Sequence, residues 1–274
     1  MKGIIDFHTH LVPARELNPH MTEFFRQANP KFLTKAGESE NSHATAELFK
    51  SQGVKYAVVL AEEAPATSYN VSNEEVFEYC RGDEIFIPFA SVNPNSYPEP
   101  VARLTEYVKE HGAKGLKLLP SYQFYYLNEA RLYPLYAAAQ ELKIPVMIHI
   151  GSSMFRGTRL RYCDPIYLDD VAIDFPDLKI VMAHSGRGFW YEQCFFLSRF
   201  HKNIYMELSG LPPQNLLNYF PELDKNGEKV IFGSDWPAIP CSISDNVEKI
   251  KSLPLSDKTI EGILYKNAEK VLFG

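Results

Sequence analysis

Short apolar runs alternate along this chain with longer amphipathic stretches. The runs are Ile4 to His8, Val54 to Leu60, Ile85 to Val92, Ala113 to Leu119, Ile144 to Ile150, Lys179 to His184, Ile204 to Leu208 and Lys229 to Gly233. Hydrophobic residues follow one another in them without regular alternation, the pattern of strands buried on both faces in a parallel sheet. Between them, Ala44 to Gln52, Asn73 to Arg81, Pro98 to His111, Glu129 to Leu142, Ile166 to Phe175 and Trp190 to Phe200 predict crossover helices, with weaker patterns at Pro212 to Leu223 and Ser244 to Ser252. Strand-helix units of this number in 274 residues predict an α/β fold, a (β/α)8 TIM barrel. A doubly wound open sheet is the alternative. With no linker or low-complexity stretch, residues 1–274 read as a single domain.

Two connections exceed plain turns. Leu11 to His43, inserted after the first strand and rich in Pro, Asn, Glu and Phe, should hold extra helix and lie over the barrel mouth. Gly151 to Asp164, after the fifth strand, carries Met154, Phe155, Arg156, Arg159, Arg161 and Tyr162. Long loops in a compact domain are commonly functional, and these are too aromatic to be disordered.

Composition narrows the function classes. Net charge is −6 with both signs interspersed, and no Lys/Arg cluster would track a phosphate backbone, which argues against a nucleic-acid partner. Cys80, Cys163, Cys194 and Cys241 are far apart and form no CxxC pair, which fits a reducing cytoplasm. The first apolar run occupies the place of a secretory signal, and no run approaches the roughly 18 residues of a membrane span.

In a barrel of this class the chemistry sits where strands end and βα loops begin. At those ends stand His8 and His10, Glu62 and Glu63, Lys117, His149, His184, Glu207 and Asp235. Half of the eight histidines fall there. Strand alternation would put Asp6, His8 and His10 on one side, with the two imidazoles roughly 6.6 Å apart along the backbone, within reach of one ion. Alone, a His-x-His pair is as easily a packing or hydrogen-bonding feature; convergence with the other ends favours metal. Three imidazoles and one carboxylate from these ends suit Zn2+ or a similar borderline divalent ion, which lowers the pKa of a bound water and so supplies hydroxide. Asp235 could both ligate and accept the water proton, and His184 would orient the water or polarise the substrate. The plainer readings are a turn-capping Asp235 and a core His184 bonded to backbone.

Asp6-x-His8-x-His10, His149 after an apolar strand, His184-Ser185-Gly186 and Gly233-Ser234-Asp235-x-Pro237 together resemble the amidohydrolase superfamily. Within it the match is to the amidohydrolase-related branch that includes aminocarboxymuconate semialdehyde decarboxylase and resorcylate-type decarboxylases. The closing Ile263 to Phe273, with Asn267-Ala268 and Leu272-Phe273, is similar to that branch's C-terminal helix. The resemblance covers the whole chain. It implies that His8, His10, His149 and Asp235 bind one zinc, with His184 as catalytic histidine. Binuclear relatives use a carbamylated lysine at the end of strand four, where Lys117 lies; an inward substrate-binding cation or a structural ion pair are the other readings. The resemblance also carries an expectation of a homodimer, although the exposed helices reveal no clear interface in sequence.

Arg156, Arg159, Arg161 and Arg187 fall in loops five and six, and one or two of them suit an anionic small-molecule substrate. Tyr122, Phe124, Tyr125, Tyr126, Phe155, Trp190 and Trp236 could wall an apolar pocket or simply pack. The first expectation is a metal-dependent hydrolase acting on a small ester, lactone or amide that can bear a carboxylate. The second is a zinc-dependent non-oxidative decarboxylase of an aromatic or muconate-like acid. A catalytically inactive binding barrel is the third, and the complete ligand set argues against it.

Overall fold

A computed structural model describes residues 3–13, 17, 19–29, 31–153 and 155–274. Eight strands lie in one sheet in chain order: β1 (Ile4–His10), β2 (Val54–Leu60), β3 (Phe86–Ser91), β4 (Gly115–Leu118), β5 (Val146–Gly151), β6 (Ile180–Arg187), β7 (Ile204–Glu207) and β8 (Val230–Ile231). Every neighbouring pair is parallel. Each falls on one apolar run, and β2 matches its run from end to end. The barrel closes through the residues after β8. Phe7 N donates to Phe232 O at 3.0 Å, Asp235 N to His8 O at 2.9 Å and His10 N to Trp236 O at 2.8 Å. Backbone pairing therefore carries Asp235 to the end of β1.

Alternation divides the strand side chains between two apolar layers. Val58, Leu60, Met147, Val181 and Ala183 join Phe7 and Phe89 in one cluster, the barrel interior. Ala57, Val59, Val146, Ile148, Ile180 and Met182 belong to the other, against the helices. Gly115 makes room inside, since a Cβ there would meet the Phe89 ring at 2.3 Å.

The expected crossover helices form at Ser42–Ser51, Asn73–Arg81, Pro100–Lys109, Tyr133–Glu141, Tyr167–Asp174 and Tyr191–Phe200. Asn73–Arg81 starts on a capping box from Ser72 and Glu75, as does Ile243–Lys251 from Ser242 and Asp245. The weak pattern at Pro212 to Leu223 is instead broken into Pro213–Asn215, a 3-10 turn, and a single helical turn at Leu216–Tyr219. Pro212, Pro213 and Pro221 withhold the amide donors a continuous helix needs. The segment after β1 contains two helices, Pro19–Ala28 and Phe32–Ser39. A short antiparallel ladder, Glu62–Glu63 with Asn70–Val71, follows β2 and was not signalled by the pattern. Among the described residues no helix is long and apolar enough to cross a membrane.

Candidate active site

The end of β1 does not keep strict alternation. Asp6 pairs with Ala57 and Thr9 with Val59, so β1 spends three steps where β2 spends two. The extra residue lets Phe7 join the interior core while the next residue, His8, lines the cavity at the barrel mouth together with His10. The expectation that Asp6 faces the same way as the two histidines is thereby corrected. Asp6 is fully buried, and its Oδ1 accepts from the backbone amides of His8 at 3.2 Å and Ser234 at 2.9 Å. It pins β1 to the Ser234-Asp235 turn, and burial pushes its carboxyl up to about 7.

His8, His10 and Asp235 form a compact group of donor atoms. Nε2 of His8 lies 3.1 Å from Nε2 of His10, and Asp235 Oδ1 stands 3.3 Å from the second and 3.6 Å from the first. Donors held tetrahedrally at about 2.0–2.1 Å from one ion stand roughly 3.3–3.4 Å apart, so these separations fit a shared cation. Proton positions agree. His8 Nδ1 is 3.0 Å from Glu207 Oε2, and a carboxylate can only accept, so the ring proton resides on Nδ1 and Nε2 is bare. A bare lone pair aimed at a second imidazole nitrogen and a carboxylate oxygen calls for a positive charge between them. Burial, followed by the Lys117 charge, holds the His8 imidazolium form well below its ordinary range, which leaves the neutral, ligating ring. Burial alone would raise Asp235, but the hydrogen bond with His10 and the nearby positive charge, that of Arg187 included, outweigh it and hold the carboxyl well below the usual carboxylate range.

A second layer of contacts fixes this geometry. Glu207, fully buried at the end of β7, accepts from Ser209 N at 2.6 Å, Ser209 Oγ at 2.8 Å, His8 Nδ1 at 3.0 Å and His184 N at 3.3 Å. Burial pushes this carboxyl up, yet both its oxygens are taken by donors, which favours the carboxylate. Gly233 is what lets Glu207 reach His8: a Cβ there would lie 2.0 Å from Oε1 and 2.7 Å from His8 Cβ. On the other side, Glu62 Oε2 is 3.8 Å from His10 Nδ1. Outer carboxylates that orient ligating histidines are worth about 10- to 100-fold in metal affinity. Glu207→Gln, which swaps an acceptor for an amide facing His8 Nδ1, is therefore expected to weaken divalent-metal binding by about 10- to 100-fold in a chelator competition. Unchanged affinity would remove Glu207 from this role.

His149 continues the interior row begun by Met147 on β5, and its buried Nε2 has no hydrogen-bond partner among the described residues. It shares the cavity but does not join the close group of His8, His10 and Asp235; its ring instead lies 4.7 Å from that of His184 and edge-on to Tyr122 at 4.9 Å. His184 Nδ1 donates to Ser209 O at 2.9 Å, which leaves its Nε2 free. His184, Ser185 and Gly186 are all left-handed, with φ of 65°, 44° and 79°, and Asp235 has φ of 63°. Non-glycine residues in that region store strain that the surrounding structure must hold, a feature that gathers at functional sites. Gly186 has no alternative, because a Cβ would lie 2.3 Å from Trp190 O.

Lys117 faces the cavity with 1% exposure, and its Nζ has no hydrogen-bond partner among the described residues. Burial pulls this ammonium below its ordinary range, against the Glu207, Glu62 and Asp235 charges. Arg187, at the end of β6, also lines the cavity while its Nε and Nη2 donate to Ser152 O at 3.2 and 2.8 Å. Tyr69, Tyr122, Phe155, Phe25 and Phe32 wall the same space, the last two from the inserted helices, as expected of a segment over the mouth.

Other candidates lie elsewhere. Arg156 and Arg159 are exposed and do not line the cavity; the Arg159 guanidinium stacks on Phe124 at 5.3 Å. Arg161 is likewise exposed, over Tyr162 at 4.8 Å. Trp236 is buried against Phe49, with ring centroids 5.1 Å apart, so it supports the Asp235 turn from the core. Tyr125 is core, and Met154 lies outside the described residues. His201, whose place just past a helix end reads in sequence as solvated, is instead 8% exposed and meets Asp169 at 2.7 Å. Sequence reasoning placed Glu62 and Glu207 at strand ends without a role and passed over Ser209 and Tyr69. Glu207 carried a signal, a carboxylate closing an otherwise apolar run.

An uncharacterized TIM-barrel protein from Bordetella bronchiseptica is 23% identical, with 98% of each chain covered and a TM-score of 0.80. A dihydroxybenzoic acid decarboxylase from Polaromonas, solved with bound manganese and the inhibitor 2-nitroresorcinol, is 16% identical over 99% of this chain and 97% of its own, at 0.75. The 5-carboxyvanillate decarboxylase from Sphingomonas paucimobilis is 14% identical over 99% of each chain, at 0.70. At these identities the likeness shows the fold. A family model described as amidohydrolase matches residues 5–274, nearly the whole length, and the chain belongs to the amidohydrolase family.

Proposed function

We propose that this protein is a divalent-metal-dependent, non-oxidative decarboxylase of a small aromatic or similarly conjugated carboxylic acid. The observation that carries the reading is the pairing, in one cavity, of a buried unpartnered ammonium at Lys117 and the Arg187 guanidinium with walls made of Tyr69, Tyr122, Phe155, Phe25 and Phe32. A buried ammonium with no hydrogen bond among the described residues is costly even with the Glu207, Glu62 and Asp235 charges near it, and together with Arg187 it suits the carboxylate of a ligand with a flat apolar body. The decarboxylases of the same fold named above support this over hydrolysis, the first expectation from sequence.

His8, His10 and Asp235 would hold the ion, with His149, whose buried Nε2 has no partner among the described residues, as fourth ligand. The nitrogen-rich set suits zinc, and the bound ion supplies a Lewis acid that offsets negative charge on substrate oxygens. Lys117 and Arg187 orient the carboxylate, and the aromatic walls exclude water and fix the ring plane. Burial, then the Arg187, His149 and Lys117 charges, keep His184 neutral at rest, with a bare Nε2 available to a proton. An arriving anion offsets those charges and raises its proton affinity. His184 takes a proton from a substrate hydroxyl or from water and returns it to the ring carbon. The bond from that carbon to the carboxylate breaks, its electron pair stays on carbon and binds the proton, and carbon dioxide leaves.

Lys117→Met tests the anion role. KM for an aromatic acid should rise about 10- to 100-fold, the worth of a hydrogen bond to a charged group at about 1.5–3 kcal/mol. A fall in Tm with KM unchanged would mark a structural lysine. The function itself is tested by loading the chelator-stripped protein with zinc or manganese and offering hydroxybenzoates beside lactones, esters and amides. Carbon dioxide release from an acid, dependent on the ion, supports the proposal; cleavage of a lactone, ester or amide alone overturns it. Hydrolysis is the second reading, favoured by Asp235, an ionised carboxylate placed to accept a proton from water.

A further inference from the structure

The cavity at the barrel mouth is small, and its polarity is one-sided. It offers about 60 Å3 to the centres of water-sized atoms. That is room for about four to six waters, or about 120–180 Å3 at about 30 Å3 each, the bulk of one substituted six-membered ring. Lys117 on β4 pairs with Met147, and Arg187 on β6 pairs with Gly151, so the two cations flank β5. In a closed barrel of eight strands β5 stands across from β1 and β8. On that far side and over the top, the cavity is lined by Met21, Phe25 and Phe32 from the inserted helices and by Pro237 and Ala238 from the turn after β8. Among the described residues no cation lines this side.

The roof is a fixed surface. The rings of Phe25 and Phe32 stack with centroids 3.5 Å apart, and Phe25 meets Phe155 edge-on at 6.0 Å. The inserted helices are tied to the turn that carries Asp235: Asn29 Nδ2 donates to Ala238 O at 3.1 Å, and Lys35 Nζ donates to Ile239 O at 2.8 Å and Cys241 O at 3.2 Å. The Lys35 ammonium is thereby spent on carbonyls outside the cavity. An acid whose carboxylate is held beside β5 must point its other edge at Phe25 and Phe32. A second fused ring there would overpack the roof, and a second carboxylate would be stripped of water with no donor to meet it.

We infer that the site selects a monocarboxylate on a single ring, and that Phe25 and Phe32 are the specificity-determining residues that turn away a second ring and a second carboxylate. The inference rests on the anion site proposed above, but concerns which acid fits rather than what becomes of it. Titration calorimetry on the zinc-loaded full chain tests it with three matched acids. 2-Hydroxybenzoate should bind at least about 10-fold more tightly than 3-hydroxy-2-naphthoate, which adds a fused ring, and than 4-hydroxyisophthalate, which adds a carboxylate. Phe32→Leu should raise the affinity for the naphthoate relative to 2-hydroxybenzoate by about 10-fold. Ala238→Lys, at a half-buried position, should do the same for 4-hydroxyisophthalate by supplying the missing cation. Because Phe32 is buried, the wild-type order and Ala238→Lys keep the test independent of whether Phe32→Leu folds. Equal affinities for the three acids, no binding of 2-hydroxybenzoate, or ratios that neither change moves in folded protein would each overturn the inference. The expected order with no carbon dioxide from any of these acids would support the selectivity and count against decarboxylation; carbon dioxide from 2-hydroxybenzoate with equal affinities would do the reverse.

Discussion

Replacing Asp235 with asparagine is expected to empty the metal centre and to stop turnover while the barrel stays folded. Asn keeps the shape of the side chain and tolerates the left-handed backbone found there, with φ of 63°, so the turn should survive. What disappears is the negative oxygen that lies 3.3 Å from His10 Nε2 and 3.6 Å from His8 Nε2. Loss of a charged ligand should exceed the 10- to 100-fold effect of an outer contact, so metal affinity should fall by more than about 100-fold. Elemental analysis after dialysis and chelator competition read this directly, with the melting temperature of the metal-free forms as control. A variant that retains a full equivalent of ion would move Asp235 out of the ligand set.

His184→Asn should separate chemistry from metal binding. The residue sits in a left-handed stretch that Asn tolerates, and its Nδ1 contact to Ser209 O can be kept by an amide donor. The bare Nε2, which carries the proposed proton transfer, is lost. A positioned acid-base group is worth about 10²- to 10⁴-fold in rate, so kcat should fall within that range while metal content is unchanged. If the ion leaves together with the activity, His184 is a ligand instead.

The barrel was legible because a fully buried parallel strand leaves an uninterrupted apolar run, and the polar residues that end such runs identify the mouth. His8, His10, His149, His184, Lys117 and Asp235 were found that way. What the pattern could not reveal depends on geometry between distant segments. The extra step in β1 that turns His8 inward and Asp6 away has no signature in Ile4 to His10. Glu207 reaches His8 across 199 residues, and only Gly233 makes room for it. Arg156 and Arg159 are neighbours of the site in sequence alone, since their loop carries them to the surface. In Pro212 to Leu223, three prolines outweigh helical periodicity.

The central claim is that one cavity binds an anion through Lys117 and Arg187, holds a divalent ion on His8, His10 and Asp235, and replaces a carboxylate on carbon by a proton. It is tested most directly by turnover of a carboxyl-labelled [13C]hydroxybenzoate in deuterium oxide by the metal-loaded protein. The account predicts labelled carbon dioxide in equal amount to product and one deuterium on the vacated carbon, with neither in the metal-free protein. An acid that remains intact while esters, lactones or amides under the same conditions are cleaved would contradict it and establish a hydrolase.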